Sequence, residues 1–123
     1  MRRRYLLFTA VLCVDLAASA MAGEADVVGV VATKSGPGVF RFDVTVRHDD
    51  AGWDHYADQW EVVAPDGTVL GQRVLLHPHV EEQPFTRSLT GVAVPEGVDR
   101  VTVRARDSQH GWGGREQDVP LPR

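Results

Sequence analysis

The stretch His77-Pro78-His79-Val80-Glu81-Glu82-Gln83-Pro84-Phe85 sets two imidazoles two residues apart, with a proline between them and two carboxylates close behind. In an extended segment, residues i and i+2 point to the same side, so both rings can face one point. Neighbouring residues then form a two-tooth chelate. The same stretch also reads as a polar loop, broken by its prolines, with solvated histidines. The positions of the other histidines, His48, His55 and His110, decide how much weight the chelate carries.

The elements that would position these side chains are short strands. From Ala25 onward, alternating apolar and polar residues come in short runs separated by turn residues, and no helical period is sustained. The first run is Asp26 to Thr33. The second alternates most cleanly, with Phe40, Phe42, Val44 and Val46 facing one way, and His48 continues that inward series. A third strand, about Asp58 to Ala64, carries Trp60, and Pro65-Asp66-Gly67 turns the chain into a fourth, Thr68 to Leu76. A fifth runs from Phe85 to Val92 and a sixth from Val101 to Asp107. A last strand from Arg115 to Leu121 follows the glycine-rich loop Ser108 to Gly114.

Seven such strands with a tryptophan on the third resemble an immunoglobulin or fibronectin type III domain, which implies an all-β, seven-stranded antiparallel immunoglobulin-like β-sandwich. The pattern of HPHxxEQPFTRS followed by an HGxGG loop is also similar to uncharacterised small exported bacterial proteins. Neither resemblance assigns a residue role.

In an up-and-down sandwich, successive connections alternate between the two ends. Connections one, three and five are tight turns without histidine. Connections two, four and six hold or adjoin all five histidines, so the topology predicts a histidine-rich loop end. The same end gathers Asp49, Asp50, Asp54, Asp58, Glu81, Glu82 and Asp107, with Trp53, Tyr56 and Trp112. Trp60 belongs to the core.

A divalent metal site is the first expectation, with His77, His79, His55 and His110 as ligands and His48 as a fifth candidate. Imidazoles suit zinc and copper(II). Outside the leader there is no thiolate or thioether, which excludes a copper(I) or blue-copper centre. Asp54 and Asp107 are expected to accept from ring nitrogens and fix tautomers. Calcium is a weaker variant, because the acids lack its loop spacing.

The alternative is a non-catalytic interaction module, in which Trp53 and Trp112 contact a protein, peptide or glycan and the histidines organise loops beside Glu81 and Glu82. Catalysis is not expected. Ser108 near His110 is an adjacency in sequence without an established geometry, and a metal-dependent hydrolase with Glu81 or Glu82 as base has no motif here.

Residues 1–22 read as a secretory signal peptide: Arg2-Arg3-Arg4, a short apolar run, then Ala20-Met21-Ala22, leaving residues 23–123 as one domain for export to the periplasm or beyond. Leu12 before Cys13 does not suit a lipoprotein cleavage site, and no apolar run after the leader is long enough to span a membrane. From 13 basic and 17 acidic residues, loss of three arginines and Asp15 leaves a net charge of −6. Nucleic acid is therefore not an expected partner.

Overall fold

A computed structural model describes residues 23–123, so the leader assigned to residues 1–22 lies outside the described residues. The described chain is all-β, built from two antiparallel sheets. Strands β1 (Asp26–Gly36), β2 (Val39–Arg47) and β5 (Phe85–Ala93) form one sheet in the order β1-β2-β5. The other has the order β4-β3-β6, from β3 (Ala57–Val63), β4 (Val69–Val74) and β6 (Arg100–Asp107). Along the free edge of β6 lie two short strands, β7 (Gly111–Trp112) and β8 (Gln117–Pro120). No helix among the described residues is long and apolar enough to cross a membrane.

Alternation decides which side chains fill the space between the sheets. On β2, Phe40, Phe42, Val44 and Val46 are buried, and on β6 so are Val101, Val103 and Ala105. They meet Trp60, Val62 and Phe85 in one hydrophobic cluster. Trp60 is fully buried, as expected for a strand-borne indole. The same parity continues past the apolar residues: His48 follows Val46 inward, and Asp107 follows Ala105. Both series therefore end in a buried polar residue at the same end of the structure.

Eight strands form where seven were expected, because the glycine-rich loop Ser108 to Gly114 contributes a short strand of its own, β7, ahead of the expected last one. β7 and β8 pair with opposite halves of β6, Trp112 opposite Arg106 and Gln117 opposite Val103. Between them the chain bends around residues 24–27. The Arg115 amide donates to Asp26 Oδ1 at 2.6 Å, and the Val27 amide donates to the Arg115 carbonyl at 2.8 Å. A side chain at Gly114 would collide with the Ala25 carbonyl, and one at Gly113 with the Glu24 carboxylate. These two glycines are where the incoming segment lies against the loop.

Candidate metal centre

Two carboxylates with no exposed side-chain surface organise the histidine end. Asp50 lies in the β2–β3 connection. Its Oδ1 accepts from the Ala57 amide at 3.0 Å and lies 2.6 Å from His48 Nδ1, while its Oδ2 accepts from the His79 amide at 2.7 Å. One side chain thus joins the end of β2, the start of β3 and the β4–β5 connection. Gln83 adds a second tie, accepting from the His48 amide and donating to the His79 carbonyl.

Asp107 ends β6 and caps the turn that follows. Its Oδ1 accepts from the amides of Gln109 at 2.8 Å and His110 at 2.6 Å. His110 Nδ1 lies 3.1 Å from Oδ2. Burial alone would raise the Asp107 pKa, but the amides of His110 and Gln109 and the His110 ring together outweigh it, and the carboxyl is held below its ordinary value.

The centre forms where these two clusters meet. His48 Nε2 is 3.6 Å from Asp107 Oδ2, and His55 Nε2 is 3.4 Å from Asp107 Oδ1. His48, His55 and Asp107 each offer one ligand atom, all within 4.8 Å of one another, and the group could hold a metal ion. The Gly23 carbonyl oxygen joins them, 3.1 Å from His48 Nε2 and 3.3 Å from His55 Nε2. Every atom facing this point is a nitrogen that can carry a lone pair or an oxygen acceptor. Such a centre is neutralised by protons on the two Nε2 atoms or by a cation. His48 faces the Asp50 carboxylate with Nδ1 at 2.6 Å and the Gly23 carbonyl with Nε2 at 3.1 Å; Nε2 satisfies that carbonyl by donating a proton to it, and a bound metal would take the place of that proton.

The structure brings His48, His55 and His110 together, with ring centroids 4.7 Å apart for the first two and 5.0 Å for the last two. It groups His77 and His79 with each other, centroids 4.6 Å apart and outside the three-residue group, with His79 Nδ1 4.0 Å from Asp50 Oδ2. The His79 ring stacks on Phe85 at 4.0 Å, and its Nε2 lies 2.9 Å from Arg87 Nη2. A guanidinium only donates, so that Nε2 lone pair is already engaged and the ring proton sits on Nδ1. Desolvation, followed by the charges of Arg87 and His77, lowers the His79 pKa from its ordinary value against the opposing pull of Asp50 and Glu82. His77 is exposed, with Nδ1 3.0 Å from the Pro78 carbonyl.

The remaining candidates divide between surface and scaffold. Asp54 and Glu81 are exposed, and Glu82 pairs with Arg87 at 3.3 Å. Trp53 is 67% exposed and meets Tyr56 edge-on at 5.6 Å. Trp112 does not cover the histidines. It lies on the outer face of its sheet, 4.7 Å from the Arg104 guanidinium, which in turn bonds the buried Glu61 at 3.1 Å. The sequence reading had no role for Asp50 or Gly23. The signal for Asp50 was its place two residues beyond His48, which continues the inward series of β2; for Gly23 there was none.

A "Putative lipoprotein" of Halomicrobium mukohataei is 49% identical to this chain over 96 residues, a match covering 78% of the chain and 47% of that protein. The chain therefore spans about half the length of the curated relative it matches. No protein-family model matches the chain, and no solved structure matches it.

Proposed function

We propose that this is an exported, non-catalytic β-sandwich binding protein of immunoglobulin-like topology that holds one divalent transition metal, zinc or copper(II), between His48, His55 and Asp107. The observation that supports it most is the buried pairing of His48 Nδ1 with Asp50, 2.6 Å apart. A carboxylate behind an imidazole fixes the tautomer and raises the basicity of the nitrogen aimed at the metal. Nitrogen and carboxylate ligands from three separate positions, the two ends of the β2–β3 connection and the end of β6, suit zinc or copper(II) and leave room for a further ligand.

The absence of catalysis in this proposal rests on two local arrangements. The Ser108 hydroxyl accepts from the Tyr56 amide at 3.1 Å, and among the described residues no hydrogen bond joins it to His110, so the two are not paired as nucleophile and base. A cavity of about 580 Å³ lined by Phe40, Val98 and Leu121 lies at the opposite end from the histidines. Export is proposed from the leader pattern, and the name of the Halomicrobium protein is that of an exported, lipid-anchored class.

A second proposal, contact with a protein or glycan partner, is favoured by Trp53 alone, an indole left 67% exposed beside the same loops. Zinc and copper(II) calorimetry on the folded chain tests the first proposal, with His55→Ala as the variant expected to lose binding. Retention of full affinity in that variant would overturn the assignment.

A further inference from the structure

We infer that the main-chain carbonyl of Gly23 is a ligand of the metal, so that metal binding fastens the segment entering β1 to the loop end. The inference rests on the metal site proposed above and names its fourth donor.

Three observations converge on Gly23. Its oxygen lies 3.1 Å from His48 Nε2 and 3.3 Å from His55 Nε2, the same two nitrogens that approach the Asp107 carboxylate at 3.6 and 3.4 Å. Its α-carbon is pressed against the His110 ring, where an added Cβ would fall 2.7 Å from Cε1. The residues that follow are held by the glycine-rich loop: Glu24 against Gly113, Ala25 against Gly114, and Asp26 Oδ1 to the Arg115 amide. Ala25 is 1% exposed. The loop thus seats residues 23–26 so that a carbonyl, and no side chain, reaches the centre.

Two imidazole nitrogens, a carboxylate oxygen and a carbonyl oxygen complete a four-donor set for zinc or copper(II). A main-chain donor also differs in consequence from a side chain. It couples metal occupancy to the position of the backbone, because the carbonyl cannot leave without moving Gly23. The oxygen belongs to the Gly23–Glu24 peptide and persists whether the chain is cut before Gly23 or retained whole.

The test is a zinc(II) titration of the ¹⁵N-labelled full-length chain. It follows the Glu24 amide nitrogen, bonded directly to the Gly23 carbonyl carbon, together with the ring nitrogens of His48 and His55. Coordination through the carbonyl withdraws electrons from the peptide and shifts the Glu24 nitrogen downfield. The expected result is that this shift and the two imidazole shifts saturate together at one equivalent. Imidazole shifts without movement at Glu24 would overturn the role of Gly23 while leaving the three-residue site standing. No shift at either imidazole would overturn both. A second measurement uses affinity: Gly23→Ala, whose methyl group would meet the His110 ring and displace the carbonyl, weakens zinc binding by about tenfold. Unchanged affinity in Gly23→Ala would contradict the inference.

Discussion

His48 and Asp107 close the inward-facing series of two strands from opposite sheets, and their side chains meet 3.6 Å apart with no exposed surface on either. Apolar residues hold the sheets together along most of their length. At this end polar atoms take over, and they are left facing one another at a common point. The Gly23 carbonyl and the Asp107 carboxylate need a donor or a cation there, and either the ring N–H groups of His48 and His55 or a bound metal supplies it.

Asp50 holds this arrangement from behind, and its removal is expected to act on stability and affinity separately. Asp50→Ala strands the His48 ring and the amides of Ala57 and His79, at a cost of about 3 kcal/mol or more. Asp50→Asn keeps the shape but weakens the acceptor behind His48, lowering metal affinity by about 10- to 100-fold. Urea unfolding and zinc calorimetry on the two variants check the pair of effects.

His79 predicts a pH dependence. Its folded pKa lies below the ordinary 6.5, because burial and then Arg87 and His77 disfavour the charged ring more than Asp50 and Glu82 favour it. The unfolded chain therefore binds the extra proton first. The contribution of His79 is fully present above pH 6.5 and is lost as pH falls from there through the folded value. Urea midpoints measured above pH 6.5 and about one unit below it should fall on acidification in the wild type. The fall should be smaller in His79→Gln.

Trp112 and Arg104 are predicted to support the sheet and leave the metal untouched. Arg104 neutralises Glu61, whose side chain is 3% exposed, and the indole covers the guanidinium. Arg104→Ala should cost about 2–3 kcal/mol, less than a fully buried pair because the guanidinium is partly exposed. Trp112→Ala should cost roughly 1 kcal/mol through loss of the cation–π contact and packing. Zinc affinity should stay within error of wild type in both.

The loop end was legible in the sequence because antiparallel connections alternate ends and strand parity carries past the last apolar residue. Phe40, Phe42, Val44 and Val46 point to His48 by simple alternation, and Val101, Val103 and Ala105 point to Asp107 in the same way. His77 and His79 lie outside the group of His48, His55 and Asp107 for a reason that spacing does not contain. Spacing says where two rings can point, but not which ring nitrogen is already engaged, and Arg87, eight residues beyond His79 and on the next strand, engages that one. Gly23 was illegible for a similar reason: a main-chain carbonyl is present at every residue, and only the tertiary fold selects one. The short strand β7, within the expected glycine-rich loop, and its separation from β8 likewise depend on where residues 24–27 cross the chain between them.

Gly114→Ala should loosen that crossing, since its new methyl group would collide with the Ala25 carbonyl. Backbone must move to relieve the overlap, and the expected outcome is faster hydrogen exchange at the Val27 and Arg115 amides, which bond across the contact. Amides in the middle of β2 and β5 should exchange at the wild-type rate.

Metal binding is tested most directly by calorimetry of zinc(II) and copper(II) on the wild-type chain, on His55→Ala and on His77→Ala, with folding of each verified by circular dichroism. His55 is the variant of choice because its side chain is 22% exposed and its loss disturbs the interior least. Stoichiometric binding that is tighter than about micromolar in the wild type, retained in His77→Ala and lost in His55→Ala is the predicted result. Absence of binding to the folded wild-type chain, or binding that follows His77 and ignores His55, would contradict a metal centre at His48, His55 and Asp107.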